Sequence, residues 1–340
     1  MYRLRKHCQI GLRDSDFPDV NARRGVVLLA PPISYPTAAL SPCFAIATLG
    51  LPMTRQRMGQ HFLSDPGWQA RILGALPRSE NEVWVEIGAG HGEMTRLLAA
   101  RAARVIAIEA DPRLADEMRA RARAHPEEWR GVEIVEGDVL GMNLSSLGGA
   151  RFRVYGSLPY YITAPILRRL FLFAEGISSI HVVIQHEVAA RIVARPGSRT
   201  YGYLSALCQY YARPEMALRI PPGAFRPPPR VISALVNMRL PGERVRLKVE
   251  NEQEFLDFVA ACFEKKRKTL RNNLRARYPD GRIEAALEAC GLPPDARAEQ
   301  LSLGQFAALL SCCEKSASRP GQSEATEPRS QPAGGRGNPS

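Results

Sequence analysis

The sequence predicts an α/β fold: a doubly wound, mostly parallel sheet of seven strands whose last pair is antiparallel, followed by a small all-α domain. Three observations predict it. Between residues 83 and 185, short apolar runs alternate with runs of helical period, the pattern of parallel strands joined by crossover helices. Two later strands are joined by a proline-rich loop with no helix between them, which points to an antiparallel pair closing the sheet. From about Glu252 onward only helical patterns occur.

The elements follow in order. "VWVEI" (83–87) is a short apolar run and reads as a buried strand. "GEMTRLLAARA" (92–102) places Met94, Leu97 and Leu98 on one face of a helix. "RVIAIEAD" (104–111) is a second strand, and "PRLADEMRARARA" (112–124) is a helix that opens on a proline, which helices accept in their first turn. "VEIVEGD" (132–138), "FRVYGSL" (152–158) and "IHVVIQ" (180–185) continue the series, with a helix expected over 165–174 between the last two. "MALRI" (216–220) and "VISALVNM" (231–238) form the final pair. In such a sheet ligands bind outside the carboxyl ends of the strands.

With 340 residues and 45% hydrophobic content, the chain can bury one full α/β domain and a smaller one. Its 46 Lys+Arg outnumber 34 Asp+Glu, and the resulting charge of +12 favours a polyanionic partner without identifying one. The seven cysteines are scattered and form no C-x-x-C, which argues for reduced thiols in the cytoplasm and against a zinc ribbon or a disulfide frame, and no metal site is expected. An uncharged run from Val26 to Pro52 is long enough to span a membrane, but prolines at 31, 32, 36, 42 and 52 break any helix there. Residues 1–52 therefore read as a disordered or mis-started extension, with Met53 or Met58 opening the folded part; Asp14, Asp16 and Asp19 disfavour a transit segment. Residues 315–340 are rich in Ser, Pro, Gly and Gln and read as a disordered tail. The main domain is expected over 53–240 and the helical one over 241–314.

"VEIGAGHGEMT" sets Gly88, Gly90 and Gly92 between the first strand and its helix, where the chain turns tightly and a ligand can approach the backbone. Glu109 lies 21 residues after Gly88 at the end of the second strand, placed to accept hydrogen bonds from both hydroxyls of a ribose. Asp138 ends the third strand, where a carboxylate can receive the amino group of an adenine. Three strand ends presenting Gly, Glu and Asp form a nucleoside pocket. The glycines run G-x-G-x-G, and no arginine pair is set for a pyrophosphate, so the nucleoside is read as S-adenosylmethionine rather than NAD.

"GQHFLSD", "VEIGAGHGEMT", "IEAD", "EGDVL", "GSLPYYIT", "QHEVAARIVARPGSRTYGYLS", "PPGAFRPPPRVISALV" and "FEKKRKTLRNNL" lie in this order between Met58 and Leu310. On these blocks the chain resembles the ribosomal RNA adenine N6,N6-dimethyltransferases, the small-subunit rRNA methyltransferase A family. The resemblance implies a Rossmann-like class I methyltransferase sheet, S-adenosylmethionine as cofactor, and dimethylation of N6 on two adjacent adenines near the 3′ end of small-subunit rRNA. It implies that the segment carrying His61 and Leu63 covers the cofactor, with His61 where the family usually has asparagine. Gly88, Gly90, Glu109 and Asp138 carry over as loop, ribose and adenine contacts, and Glu86 belongs to the same motif.

The resemblance also gives "SLPYY" a chemical meaning. An adenine N6 lone pair is delocalised into the ring, and acceptors aimed at the amino protons favour the tetrahedral nitrogen that attacks. Those acceptors would be Ser157 Oγ and the Leu158 carbonyl, held rigid by Pro159, with Tyr160 stacking on the purine. Ser157, which also borders the cofactor, stands where the family usually has asparagine. Phe225, in an expected exposed loop, resembles the aromatic that closes on the base from its other face. "EKKRKTLRNNLRAR" (264–277) puts Lys265, Lys266, Arg267, Lys268, Arg271, Arg275 and Arg277 on an expected helical segment as a phosphate track, with Arg195, Arg199 and Arg230 nearer the pocket. The expected partner is small-subunit rRNA within a pre-ribosomal 30S particle, bound by a cytoplasmic monomer without membrane attachment. Two other readings share these residues. One is a large-subunit rRNA adenine methyltransferase of the antibiotic-resistance type; the other is a non-catalytic RNA-binding assembly factor.

Overall fold

Alternating strand and helix patterns leave both faces of a central sheet to be covered, and that is how the chain packs. The computed structural model describes residues 60–78, 81–147 and 151–315. All of them belong to one compact unit. The predicted extension over 1–52, both candidate start methionines and the tail beyond Lys315 lie outside the described residues.

The elements run β1 (Phe62–Leu63), α1 (Pro66–Ala75), β2 (Val83–Ile87), α2 (Glu93–Ala99), β3 (Arg104–Glu109), α3 (Pro112–Ala124), β4 (Val132–Glu136), β5 (Phe152–Ser157), α4 (Thr163–Phe171) and β6 (Ile177–Gln185). Then come α5 (His186–Ile192), α6 (Tyr203–Tyr211), β7 (Arg213–Ile220), β8 (Phe225–Arg226) and β9 (Ser233–Arg239). The chain continues through α7 (Arg244–Leu247), α8 (Glu252–Cys262), α9 (Leu270–Leu274), α10 (Asp280–Ala289) and α11 (Leu303–Lys315). The seven-stranded sheet has the order β4-β3-β2-β5-β6-β9-β7. Its first five strands are parallel, and β9 is antiparallel to both β6 and β7. The expected doubly wound sheet with its antiparallel closure is therefore present.

Boundaries moved for local reasons. β3 ends at Glu109 because Asp111 caps α3, its side chain accepting the Arg113 N–H at 3.0 Å, and Pro112 fixes the first helical turn. α4 starts at Thr163, ahead of the expected residue 165, because Pro165 still falls within the first turn, where no N–H partner is needed. The stretch 264–277 departs furthest from expectation: α8 ends at Cys262, and Lys265–Lys268 form a turn closed by Lys268 N–H to Lys265 C=O at 3.2 Å. Asn273 stops the helix, its amide donating to the Cys262 carbonyl at 2.6 Å and accepting the Lys265 N–H at 3.2 Å. Only Leu270–Leu274 is helical, capped by Thr269.

The β1–β8 pair is a separate two-stranded ribbon, antiparallel, with Leu63 opposite Phe225. One continuous buried cluster joins the sheet to the C-terminal helices: Val154, Val182 and Val236 from strands, Tyr210 from α6, and Phe255, Phe258 and Phe306 from the helical part. Each of those three phenylalanines is fully buried, worth about 1.5–3 kcal/mol apiece in area removed from water, so the helices are welded to the sheet.

Candidate active site

Parallel pairing aligns the carboxyl ends of β4, β3, β2 and β5. The register sets Ile87 opposite both Ile108 and Gly156, and Glu109 opposite Glu136. The glycine loop leaves β2 at this edge, with Gly88 N–H bonded to the Ile108 carbonyl at 2.9 Å. Gly88 is exposed at φ +70°, and a Cβ there would stand 3.4 Å from the Ser157 carbonyl. The loop that would carry a nucleoside and the "SLPYY" turn are thus backbone neighbours.

Glu109 has a structural duty beside its expected one. It is 4% exposed; Oε2 accepts the Gly90 N–H at 2.8 Å and Oε1 accepts the Asp111 N–H at 2.9 Å. Each carboxylate oxygen keeps a second lone pair for a ribose hydroxyl. Asp138 is exposed beyond β4, with Oδ1 taken by the Leu140 N–H at 2.9 Å. Burial raises the Tyr161 phenol, and the Asp138 charge raises it further. Beneath the loop, Glu86 is buried and accepts the Thr95 hydroxyl at 2.5 Å. Burial raises its carboxyl to about 8, with smaller contributions from Glu93 and Glu109 acting against the Thr95 bond. It is a neutral brace under the turn.

Ser157 ends β5, half-buried, opposite Val183. The Leu158 N–H bonds to the Val183 carbonyl at 3.0 Å and its side chain is buried. The Pro159 carbonyl accepts the Ile162 N–H at 3.2 Å and the Thr163 hydroxyl at 3.3 Å, which fixes the turn. Tyr160 is half-buried, its hydroxyl hydrogen-bonded to Ser233 Oγ at 2.7 Å. Burial raises the phenol, opposed by that bond, so Tyr160 stays neutral.

The segment expected over the cofactor splits its side chains three ways. The His61 ring stacks on Tyr160, with centroids 5.8 Å apart and planes inclined 29°, and its Nδ1 donates to the Pro227 carbonyl at 2.6 Å. Phe62 lies on the glycine loop: a Cβ at Gly90, where φ is +60°, would meet its ring at 3.0 Å. Leu63 is buried against Phe225 in the ribbon. Phe225 needs a correction: it is 2% exposed, packed with Leu63, Ile220, Ala224 and Leu235. Antiparallel pairing with β1 turns this ring into the core, where the sequence placed it in an exposed loop.

The basic residues separate into two classes. Lys265, Lys266, Arg267, Lys268 and Arg275 are exposed, with no ion pair among the described residues. Arg271 is held by Asp280 at 3.4 Å and Glu284 at 2.9 Å, and Arg277 by Glu254 at 3.7 Å. Arg267 sits at φ +71°, a strained left-handed conformation for a residue with a side chain. Arg195, Arg199 and Arg230 are exposed. The site therefore gathers Gly88, Gly90, Glu109, Asp138, Ser157, Leu158, Pro159 and Tyr160 at one sheet edge, while the 265–275 cations belong to the helical part. Sequence reasoning passed over Phe62, Ser233, Thr95 and Pro227. All four lie inside motif blocks, but only tertiary pairing shows what they touch. Among the described residues no cluster of three or more His, Cys, Asp or Glu could hold a metal, and no helix is long and apolar enough to cross a membrane.

A family model described as ribosomal RNA adenine dimethylase matches residues 53–315. A protein named ribosomal RNA small subunit methyltransferase A from Acidobacterium capsulatum is 42% identical, covering 75% of this chain and 89% of its own. The like-named protein of Koribacter versatilis is 39% identical over 76% of this chain and 94% of its own. Among solved structures, a dimethyladenosine transferase from Plasmodium falciparum superposes with a TM-score of 0.65 at 24% identity, covering 76% of this chain and 98% of that one. The 23S rRNA methyltransferase ErmE superposes with a TM-score of 0.57 at 27% identity, covering 74% and 99%.

Proposed function

Because the chain belongs to the ribosomal RNA adenine dimethylase family, we propose that it dimethylates N6 of two adjacent adenines near the 3′ end of small-subunit rRNA, using S-adenosylmethionine. One observation carries the reading: the exposed glycine turn at Gly88 lies against the Ser157 carbonyl, so a nucleoside cofactor and the "SLPYY" acceptors share one cleft. The residues fit that cofactor. Gly88 and Gly90 leave room for it at the backbone, Glu109 keeps lone pairs for the ribose hydroxyls, and Asp138 Oδ2 can take the adenine amino group. When bound, the cofactor supplies an electrophilic methyl carbon on a sulfonium.

The rest is done by the chain. Tyr160 offers a neutral ring on which an unstacked adenine rests, fixed by Ser233 so that the base arrives in one orientation. Ser157 Oγ and the Leu158 carbonyl accept the N6 protons, localising the lone pair toward the methyl carbon. Transfer of that methyl to N6 would break its bond to sulfur, and the surplus N6 proton would leave to water. No strong base is needed, because the methylated amino nitrogen becomes acidic as it gains positive charge. Returning the neutral amine to the same acceptors permits the second transfer. Phe225 joins the base's other face only if the β1–β8 ribbon shifts. Lys265, Lys266, Arg267, Lys268 and Arg275 hold phosphates of RNA within a pre-ribosomal 30S particle, Arg271 assists from its ion pairs, and the protein works as a cytoplasmic monomer. The test is transfer from methyl-labelled S-adenosylmethionine to small subunits lacking these methyl groups, with the modified nucleotides mapped. Label on two adjacent adenines of the small-subunit rRNA is expected. Label in large-subunit rRNA, or none despite tight binding, overturns the reading.

A further inference from the structure

His61 belongs to the segment expected to cover the cofactor, yet its described contacts run to the other half of the cleft. We propose that His61 is a positioning residue for the target adenine: it backs the Tyr160 ring and ties the proline loop to the cofactor-covering segment. The inference rests on the proposed rRNA adenine methylation.

Three contacts carry it. The imidazole covers one face of Tyr160 in an offset stack, and on the proposed reaction the purine takes the opposite face. His61 Nδ1–H donates to the Pro227 carbonyl at 2.6 Å, joining chain segments 166 residues apart. The Tyr160 hydroxyl is bonded to Ser233 Oγ at 2.7 Å, at the far end of the same loop. Tyr160 is thus clamped at its face by His61 and at its tip by Ser233, and both clamps are anchored on the 227–233 segment. The next residue, Phe62, contacts the Gly90 turn. One dipeptide therefore reads the cofactor loop through Phe62 and the base wall through His61. Asparagine at position 61 could make the Pro227 hydrogen bond but has no ring to lay against Tyr160. In this chain the stack is a feature of the histidine itself.

Full-length His61→Ala, His61→Asn and His61→Phe separate the contributions. Asparagine keeps a donor without the ring, and phenylalanine keeps the ring without the donor. For His61→Ala, affinity for S-adenosylmethionine should stay within about twofold of wild type. Turnover on undermethylated small subunits should fall about tenfold, the combined size of one stacked pair and one hydrogen bond. His61→Asn and His61→Phe should each recover part of the rate. Amide hydrogen exchange is the readout that does not need catalysis: in His61→Ala the His186 amide, which donates to the Ile232 carbonyl at the end of the proline loop at 2.9 Å, should exchange severalfold faster, while those of Gly88 and Gly92 keep wild-type protection. Cofactor affinity falling in step with turnover, or unchanged exchange at His186, overturns the assignment. If wild-type protein transfers no label, the proposed reaction fails, and the exchange experiment still decides whether His61 holds the proline loop.

Discussion

Glu109→Ala tests whether the carboxylate at the end of β3 both braces the loop and binds the ribose. The side chain is 4% exposed and accepts two backbone amides, Gly90 N–H at 2.8 Å and Asp111 N–H at 2.9 Å. Removing it strands one buried donor and one partly buried donor, at about 1–3 kcal/mol for the first and less for the second, which water can reach. A loss of roughly 2–3 kcal/mol is expected, or a fall in Tm of about 5–10 °C for a domain of this size. The variant also lacks a charged acceptor for two ribose hydroxyls. With about 1.5–3 kcal/mol per such bond and partial replacement by water, the affinity for S-adenosylmethionine should fall on the order of 100-fold. Glu109→Gln keeps one carbonyl oxygen but turns an N–H toward a backbone N–H, so it should fall between. Calorimetric titration gives the affinities and thermal unfolding gives the stabilities. Wild-type cofactor affinity in Glu109→Ala would refute the pocket assignment, and an unchanged Tm would refute the bracing role.

Three further outcomes follow from the same geometry. Glu86, raised to about 8 chiefly by burial, holds its proton in the folded state above pH 4.5, where the unfolded chain releases it. Its contribution to stability is fully present below about 4.5 and is lost as pH rises through about 8, so urea unfolding should show the advantage of Glu86→Gln over wild type growing across that window; parallel profiles would contradict this. Tyr160→Ala should leave S-adenosylmethionine affinity unchanged and slow transfer at least tenfold, whereas Tyr160→Phe, which leaves the buried Ser233 hydroxyl without this partner, should cost roughly 1 kcal/mol of stability and a smaller share of rate. Replacing Lys266 and Arg267 together by alanine should weaken RNA binding and reduce the slope of its salt dependence by about one for each phosphate no longer neutralised. Arg271→Ala should do less, because Asp280 and Glu284 already engage that guanidinium, and equal slopes for both variants in a salt titration would remove the basis for separating them.

The sheet and the cofactor edge were legible because period and position determine them locally. A short run such as 104–109, rich in β-branched residues and set between helical patterns, reads as a buried strand, and the residue that ends it falls at the carboxyl edge, so Glu109 could be placed from spacing. The basic run could not be placed this way. Lysine and arginine are good helix formers, and the segment scans as one helix. A single asparagine, Asn273, folds back onto the Cys262 carbonyl and turns four cations into a loop, a contact between residues 11 apart that helical periodicity does not encode. Phe225 failed for a related reason. The prolines after it correctly mark a loop, but Phe225 pairs with Leu63, a residue far back in the chain, and that pairing decides which way the ring points.

The two halves of the site meet because of strand order. β2 carries the glycine loop and β5 carries "SLPYY", and they are adjacent in the middle of the sheet although β3, β4 and the helices around them intervene in the chain. Strands β3 and β4 continue to one side of β2, and β6, β9 and β7 continue to the other side of β5. Crossovers therefore leave in opposite directions at the β2–β5 seam, opening a crevice at its carboxyl end. Gly88 and Ser157 are the first residues past the paired Ile87 and Gly156 on those two strands, which is why a Cβ on one would stand 3.4 Å from the carbonyl of the other. A larger residue at 88 would occupy the space between cofactor loop and acceptor turn. On the proposed reaction, glycine at 88 keeps that space open, in addition to the freedom its φ of +70° demands. Gly88→Ala should accordingly impair transfer more than the roughly 1 kcal/mol of backbone strain would lead one to expect. Stability and single-turnover rate measured on that one variant separate the two contributions, and a rate loss no greater than the stability loss would leave backbone conformation as the whole explanation.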